Sequence, residues 1–136
     1  MEDEKNALHK SGEDYLEAIF LLSKSKGVVR SVDVAEHFGY SKPSVSHAVS
    51  LLKKGGYLTA EDPGYLHLTE SGQKIAEDMY ERHCFFRTQL MEAGVEYEIA
   101  DEEACSMEHT VSRDSFEKLR AHEKEKNADS DYFFAS

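Results

Sequence analysis

The feature that most constrains the fold is the stretch over residues 31–69, SVDVAEHFGYSKPSVSHAVSLLKKGGYLTAEDPGYLHLT. Two short segments with helical apolar spacing lie on either side of Gly39, and a pair of glycines ends the second segment. Alternating apolar residues then flank an Asp-Pro-Gly sequence, which is typical of a hairpin turn. A helix, a glycine turn, a second helix and a hairpin in this order predict a winged helix-turn-helix.

The ends of both helices carry residues suited to them. Ser31 and Ser41 are candidates for the N-caps of the first and second helix, because a serine hydroxyl can accept a hydrogen bond from a free N–H of the first turn. Pro43 falls in the first turn of the second helix, where a missing N–H costs nothing. Gly39 is expected to end the first helix in the left-handed conformation.

The second helix is predicted to be the recognition helix. Its apolar residues follow the spacing i, i+3, i+4, i+7 and mark one buried face: Val45, Ala48, Val49 and Leu52. The opposite face is polar, so its first half is expected to reach bases or phosphates in the major groove. The alternative for its lysines is simple solvation. The candidate DNA-binding residues are Lys42, Pro43, Ser44, Ser46, His47, Ser50, Lys53 and Lys54, with Tyr65 on the wing.

The charge distribution supports a DNA partner although the chain is acidic. The net charge is −11, which by itself argues against binding to phosphates. Residues 24–54, however, hold six basic side chains against two acidic ones, a local balance of +4. A basic island in an acidic protein suggests that this segment has a task separate from that of the acidic remainder.

The rest of the chain is predicted to be helical, which makes the fold mainly α with a small β-hairpin wing. Thr69 and Ser112 are candidate N-caps, and helices are expected over residues 12–24, 70–93, 101–111 and 113–125. We expect a winged helix-turn-helix domain over residues 1–70, a helical metal-binding and dimerisation domain over residues 71–126, and a mobile tail over residues 127–136. The chain length allows one core or two small ones.

The segment CSMEHTVS brings three kinds of metal ligand together. Cys105, Glu108 and His109 are spaced i, i+3, i+4, so they are expected on one side of a helix. A thiolate, a carboxylate and an imidazole can bind a first-row divalent ion. By itself the spacing leaves open a solvated helix face with a half-buried cysteine.

Three further residues are candidate ligands. Asp14 and Glu17 are spaced i, i+3 on the first helix, which is otherwise too apolar to lie at the surface. The alternative is that both are acids favoured by the dipole of the first turn. His83 lies between acidic and aromatic neighbours in ERHCFF, and a single histidine there is usually a core group with satisfied hydrogen bonds.

The order of these parts resembles the diphtheria-toxin-repressor and manganese-transport-regulator family of metal-dependent transcriptional repressors. The resemblance rests on EDYLEAIFLL, the winged helix, YLHLTESGQKIAE, ERHCFF and EEACSMEHTVS, and extends to about residue 125. It implies a homodimer that binds a palindromic operator of metal-homeostasis genes with Fe²⁺ or Mn²⁺ as corepressor. It also implies a metal site of six ligands: Asp14, Glu17, His83, Cys105, Glu108 and His109.

The ligand pattern is mixed between branches of this family. Cys105 resembles the iron-responsive branch, which has methionine at the position of Asp14, whereas the manganese branch has aspartate there and glutamate at the position of Cys105. A thiolate favours softer ions and a carboxylate favours Mn²⁺, so both ions stay open, with Fe²⁺ slightly favoured. The ancillary site of the iron branch needs a glutamate and a histidine where this chain has Arg87 and Asp101, so its usual form is not expected.

Other functions are less consistent with the sequence. The EH pair has no second histidine four residues away, as the zinc-protease pattern requires, and no enzyme is expected. The main alternative is a metal-independent winged-helix regulator that senses an organic ligand or a protein partner. The first 12 residues lack a secretory signal pattern, so a cytoplasmic protein is expected, in a short form without the SH3-like domain of longer relatives.

Overall fold

The computed structural model describes the backbone of residues 10–61 and 64–135, and the side chains of residues 10–60 and 64–127. Within these residues the chain forms six helices and one two-stranded antiparallel sheet, as the sequence predicted. In chain order the elements are α1 (Lys10–Lys26), α2 (Ser31–Phe38), α3 (Lys42–Lys54), β1 (Leu58–Glu61), β2 (Tyr65–Leu68), α4 (Glu70–Glu92), α5 (Tyr97–Met107) and α6 (Arg113–Ala135). The chain forms two compact units, and the division falls between Tyr80 and Glu81, within α4.

The first unit is built around α1. Leu16 and Ile19 are almost completely buried, and they share a core with Val34 of α2 and Val45 of α3. Val49 and Leu52 of α3 are buried as well, so the spacing of apolar residues correctly predicted the inner face of this helix. The buried face fixes α3 against α1 and α2 and leaves its polar face in solvent.

The turn between α2 and α3 follows the predicted chemistry. Gly39 has a φ of 73°, in the left-handed region that favours glycine, and its N–H donates to the Ala35 carbonyl. Ser41 caps α3, because its Oγ accepts a hydrogen bond from the Ser44 N–H at 3.3 Å. The prediction that Ser31 caps α2 was wrong: α2 begins at Ser31, and its N-cap is Arg30.

The wing is a short antiparallel hairpin in which Leu58 pairs with Leu68 and Glu61 pairs with Tyr65. The turn predicted between the strands includes residues 62 and 63, which lie outside the described residues. The chain before α2 also joins the wing, because Arg30 forms a bridge with Tyr65 and the Leu66 N–H donates to the Val29 carbonyl at 2.7 Å.

The second unit has a small aromatic core. Phe86 of α4, Ala104 of α5 and Phe116 of α6 are buried together, and Met107 and Val111 pack against them. Phe116 is 1% exposed. Within residues 10–61 and 64–135, each helix is too short or too polar to cross a bilayer.

Several helix ends differ from the predicted ones, most of all in the first helix and the last two. The first helix begins at Lys10 rather than at residue 12. The helix predicted over residues 101–111 lies over Tyr97–Met107. It ends at Met107 because Thr110 donates both its N–H and its hydroxyl to the Met107 carbonyl. The last helix continues to Ala135 rather than ending at residue 125, since the sequence after it holds no proline or glycine. The mobility predicted for residues 127–136 stays a prediction.

Two predicted caps are present. The Gly72 N–H donates to Thr69 Oγ1 at 3.2 Å, before α4, and the Ser115 N–H donates to Ser112 Oγ at 3.1 Å, before α6. Both helices therefore begin where the sequence indicated.

Candidate metal centre and DNA-binding surface

The polar face of α3 is exposed along its whole length. Every candidate DNA-binding residue on this helix lies in solvent: Lys42, Pro43, Ser44, Ser46, His47, Ser50, Lys53 and Lys54. Ser41 and Ser44 share a hydrogen bond between their hydroxyls at 2.9 Å, which orders the start of the helix. The arrangement matches that of a recognition helix, whose N-terminal residues contact base edges.

Tyr65, the candidate on the wing, is half-buried and supports an arginine that the sequence reasoning missed. Arg30 donates from Nη2 to the Tyr65 hydroxyl at 3.0 Å, and its guanidinium lies 4.8 Å from the centre of the Tyr65 ring. Arg30, which belongs to the basic island, is therefore an ordered positive charge beside the wing. The only feature of the sequence that pointed to Arg30 was its place among the six basic residues of that island.

Asp14 and Glu17 lie on α1, in the first unit. Because α1 begins at Lys10, both residues lie beyond its first turn, where the helix dipole has little effect. Glu17 is 7% exposed, and Asp14 is half-buried. The dipole therefore does not explain these two acids. Their assignment as metal ligands stays a prediction.

His83, Cys105 and Glu108 come together in the second unit. One ligand atom from each of the three residues lies within 4.8 Å of the other two. His83 Nδ1 is 3.2 Å from Glu108 Oε2, and Glu108 is completely buried, whereas Cys105 is exposed. The two residues from EEACSMEH and the one from ERHCFF therefore form a single cluster, although 22 residues separate His83 from Cys105.

His109 lies on the other side of Glu108. Its Nε2 is 3.3 Å from Glu108 Oε1, so each carboxylate oxygen faces a different imidazole. The prediction that Cys105, Glu108 and His109 share one helix face was wrong in its bounds, because α5 ends at Met107 and both Glu108 and His109 lie in the following turn.

Arg82 stabilises this turn from α4. Its Nη1 donates to the carbonyls of Glu108 and Val111, and the distance to the Glu108 carbonyl is 3.2 Å. The bonds fix the backbone that carries Glu108 and His109. No pattern in the sequence distinguished Arg82 from the other charged residues of α4.

The electrostatics of the cluster favour a cation. The neighbouring Cys105 side chain, followed by that of Glu108, raises the pKa of His83 from 6.5 to about 11, although burial opposes the charge. The imidazole is therefore protonated at neutral pH and provides positive charge beside Glu108. A thiol, an imidazole and a carboxylate are also a donor set that first-row divalent ions accept. The cluster therefore fits a divalent metal ion.

Asp101 lies on the outer side of His83. Its Oδ1 is 2.7 Å from His83 Nε2 and accepts a second hydrogen bond from Arg87 Nη1 at 3.0 Å. Burial would raise the pKa of the Asp101 carboxyl, but the bonds from His83 and Arg87 outweigh it and lower that pKa. Arg87 and Asp101 stand where the iron branch of the family has the glutamate and histidine of its ancillary site. In this protein the two residues form an ion pair.

Comparison with known proteins identifies both halves of the chain. Residues 7–68 match the family model described as iron dependent repressor, N-terminal DNA binding domain. Residues 69–127 match the model described as iron dependent repressor, metal binding and dimerisation domain. Together the two matches cover most of the chain.

Individual relatives agree with the family models. The transcriptional regulator MntR of an Escherichia coli strain is 34% identical over 108 residues, which are 79% of this chain and 70% of that protein. The HTH-type transcriptional regulator MntR of Bacillus subtilis is 34% identical over 109 residues, 80% of this chain and 77% of that protein. The structure of the manganese regulator SloR has a TM-score of 0.73 and 30% identity over 83% of this chain, which spans about half (53%) of that one.

The fold, the donor cluster and these matches define a class of protein, the transcriptional regulators whose binding to DNA depends on a metal ion. The chain belongs to the family of the diphtheria-toxin repressor and the manganese-transport regulator, and the resemblance noted in the sequence is confirmed.

Proposed function

We propose that this protein is a cytoplasmic, homodimeric repressor that binds a palindromic operator of metal-homeostasis genes when Fe²⁺ or Mn²⁺ occupies the site of His83, Cys105 and Glu108. The observation that carries the proposal is that an imidazole and a thiol lie close to the completely buried carboxylate of Glu108. We place the protein in the cytoplasm because its proposed partner is an operator.

The metal-binding residues have distinct roles in this proposal. His83 and Glu108 supply buried ligand atoms, and Cys105 supplies a thiolate at the exposed edge of the cluster. When bound, a divalent ion would supply the positive charge that the His83 proton supplies without it. Asp14, Glu17 and His109 complete the proposed ligand set on the grounds of the family resemblance.

The choice of metal depends on Cys105. The family model is named for iron, whereas SloR is named for manganese. A thiolate is a softer ligand than a carboxylate and favours Fe²⁺ over Mn²⁺. We therefore propose Fe²⁺ as the slightly preferred ion.

For DNA, we propose that α3 enters the major groove and that Lys42, Lys53, Lys54 and Tyr65 contact phosphates. A dimer presents two copies of α3, which suits half-sites about 34–36 Å apart. Each lysine that binds a phosphate adds to the dependence of affinity on salt.

The test is selection of bound sequences from random DNA, with Mn²⁺ or anaerobic Fe²⁺ present. We expect a palindrome to be enriched only with metal. Gel shifts on the selected site, with Fe²⁺, Mn²⁺, Zn²⁺ and Co²⁺ titrated separately, then rank the ions by the concentration that each needs to support DNA binding. The same titrations are made with Cys105→Ser. This variant should lose more affinity for Fe²⁺ than for Mn²⁺. Equal binding to the selected site in chelator and in metal would contradict the proposal and favour a regulator that senses an organic ligand or a protein partner.

Metal affinity should rise with pH. The raised pKa of His83, about 11, means that the metal-free protein keeps this proton at neutral pH and loses it only as the pH rises through that value. The imidazole would have to lose this proton to hold a metal ion, so affinity should increase by about tenfold per pH unit between about pH 6.5 and 8 for each proton released. Calorimetry of Mn²⁺ binding in buffers with different ionisation enthalpies measures the number of protons. Release of no proton would contradict the combination of a raised His83 pKa and binding of the ion by His83.

A further inference from the structure

The side chains between α4 and α5 form an ordered series that extends beyond the proposed ligands. Tyr97, Asp101 and Cys105 are four residues apart on α5, and His83 and Arg87 are four residues apart on α4, so each set lies along one helix face. Arg87 contacts Tyr97 and Asp101. His83 contacts Asp101 and also lies close to Cys105 and Glu108. Asp101 thus lies between Arg87 and His83.

We propose that Asp101, fixed by Arg87, is a positioning residue that accepts a hydrogen bond from His83 Nε2 and so leaves Nδ1, which faces Glu108, as the ligand atom. The inference rests on the proposed metal site. It assigns a role to two residues that do not belong to the proposed ligand set.

The directions of the two ring nitrogens support this role. Nε2 is 2.7 Å from Asp101 Oδ1, whereas Nδ1 is 3.2 Å from Glu108 Oε2. A neutral imidazole carries one proton, and the nitrogen that keeps it must donate. An ionised carboxylate only accepts hydrogen bonds, so Asp101 retains the proton on Nε2. Histidine ligands of metals commonly have such an outer acceptor, which fixes their tautomer and orientation.

Arg87 keeps Asp101 in place. The Asp101 side chain is 42% exposed, so burial alone does not hold it. Arg87 Nη1 donates to the same Oδ1 at 3.0 Å, and the guanidinium lies 5.3 Å from the centre of the Tyr97 ring. The ion pair and the ring contact therefore restrict the carboxylate to the outer side of His83.

The test compares metal affinity in Asp101→Ala, Asp101→Asn and a control. Asp101→Ala should lose about 10–100-fold in Mn²⁺ affinity, the usual cost of removing an outer partner of a metal-bound histidine. Asp101→Asn should recover most of that loss, because its amide oxygen still accepts from Nε2. The control is Glu102→Ala, which removes one negative charge from the adjacent, exposed position of α5. Thermal unfolding of the metal-free variants checks that each one folds.

A second readout is the tautomer of His83 in the protein loaded with Zn²⁺, which is diamagnetic. Long-range proton–nitrogen correlations should show Nδ1 bound and Nε2 protonated in the parent and in Asp101→Asn, and a mixture of forms in Asp101→Ala. If Asp101→Ala matches Glu102→Ala in affinity and keeps the parent tautomer, Asp101 is not a positioning residue.

Variants of the ligands separate failure of this inference from failure of the proposed function. Cys105→Ala and Glu108→Gln should both weaken metal binding if the proposed site is correct. If they do so and Asp101→Ala does not, only the positioning role is overturned. If none of the three changes affinity, the proposed site itself is wrong and the inference falls with it.

Discussion

Glu108→Gln should weaken Fe²⁺ or Mn²⁺ binding by more than the roughly 10–100-fold that loss of an outer-shell partner costs. The side chain is completely buried. Its Oε2 lies 3.2 Å from His83 Nδ1, and its Oε1 lies 3.3 Å from His109 Nε2. Glutamine has nearly the same shape but no charge, so the variant removes the buried anion while disturbing the packing little. Competition with a metal-sensitive dye measures the affinity, and gel shifts measure the effect on DNA binding.

The matched control for this variant is Glu103→Gln. Glu103 lies on α5, is exposed and loses the same charge on substitution. It should retain the metal affinity of the parent. If Glu108→Gln and Glu103→Gln bind metal equally well, Glu108 is not a ligand and the proposed site needs a different centre.

Phe116→Ala should destabilise the metal-free protein by about 3–5 kcal/mol, the usual range for removing a buried aromatic side chain. Phe116 is 1% exposed, and its ring centre lies 5.4 Å from that of Phe85 and 6.1 Å from that of Phe86. The core of the second unit is small, so the loss is a large part of the about 5–15 kcal/mol that stabilises a typical domain. Urea unfolding at fixed protein concentration measures the change.

Lys118→Ala is the control on the same helix. Lys118 is exposed and forms an ion pair with Asp114 at 3.0 Å. A pair of this kind, four residues apart on a helix, contributes about 0.2–0.5 kcal/mol. A Phe116→Ala protein no less stable than Lys118→Ala would mean that the aromatic cluster does not stabilise this unit.

The metal site shows how far spacing along one segment can predict a cluster. Cys105 and Glu108 were singled out because one helical turn separates them, and the structure brings them together. The same reasoning placed all three ligands on one helix, but the hydrogen bonds of Thr110 and Arg82 stabilise a turn after Met107 that holds both Glu108 and His109. Those bonds depend on side chains that no local apolar pattern distinguishes.

The helix-turn-helix could be predicted from the residues alone, because Gly39, the cap at Ser41 and the apolar spacing of α3 act within a few residues of one another. The contacts of Asp101 and Arg87 around His83, and the separate histidine beside each oxygen of Glu108, arise from the packing of the helices. The physical reason is distance along the chain. Caps, turns and helix faces follow from local backbone preferences, whereas contacts between α4 and α5 depend on how two helices pack around a shared core.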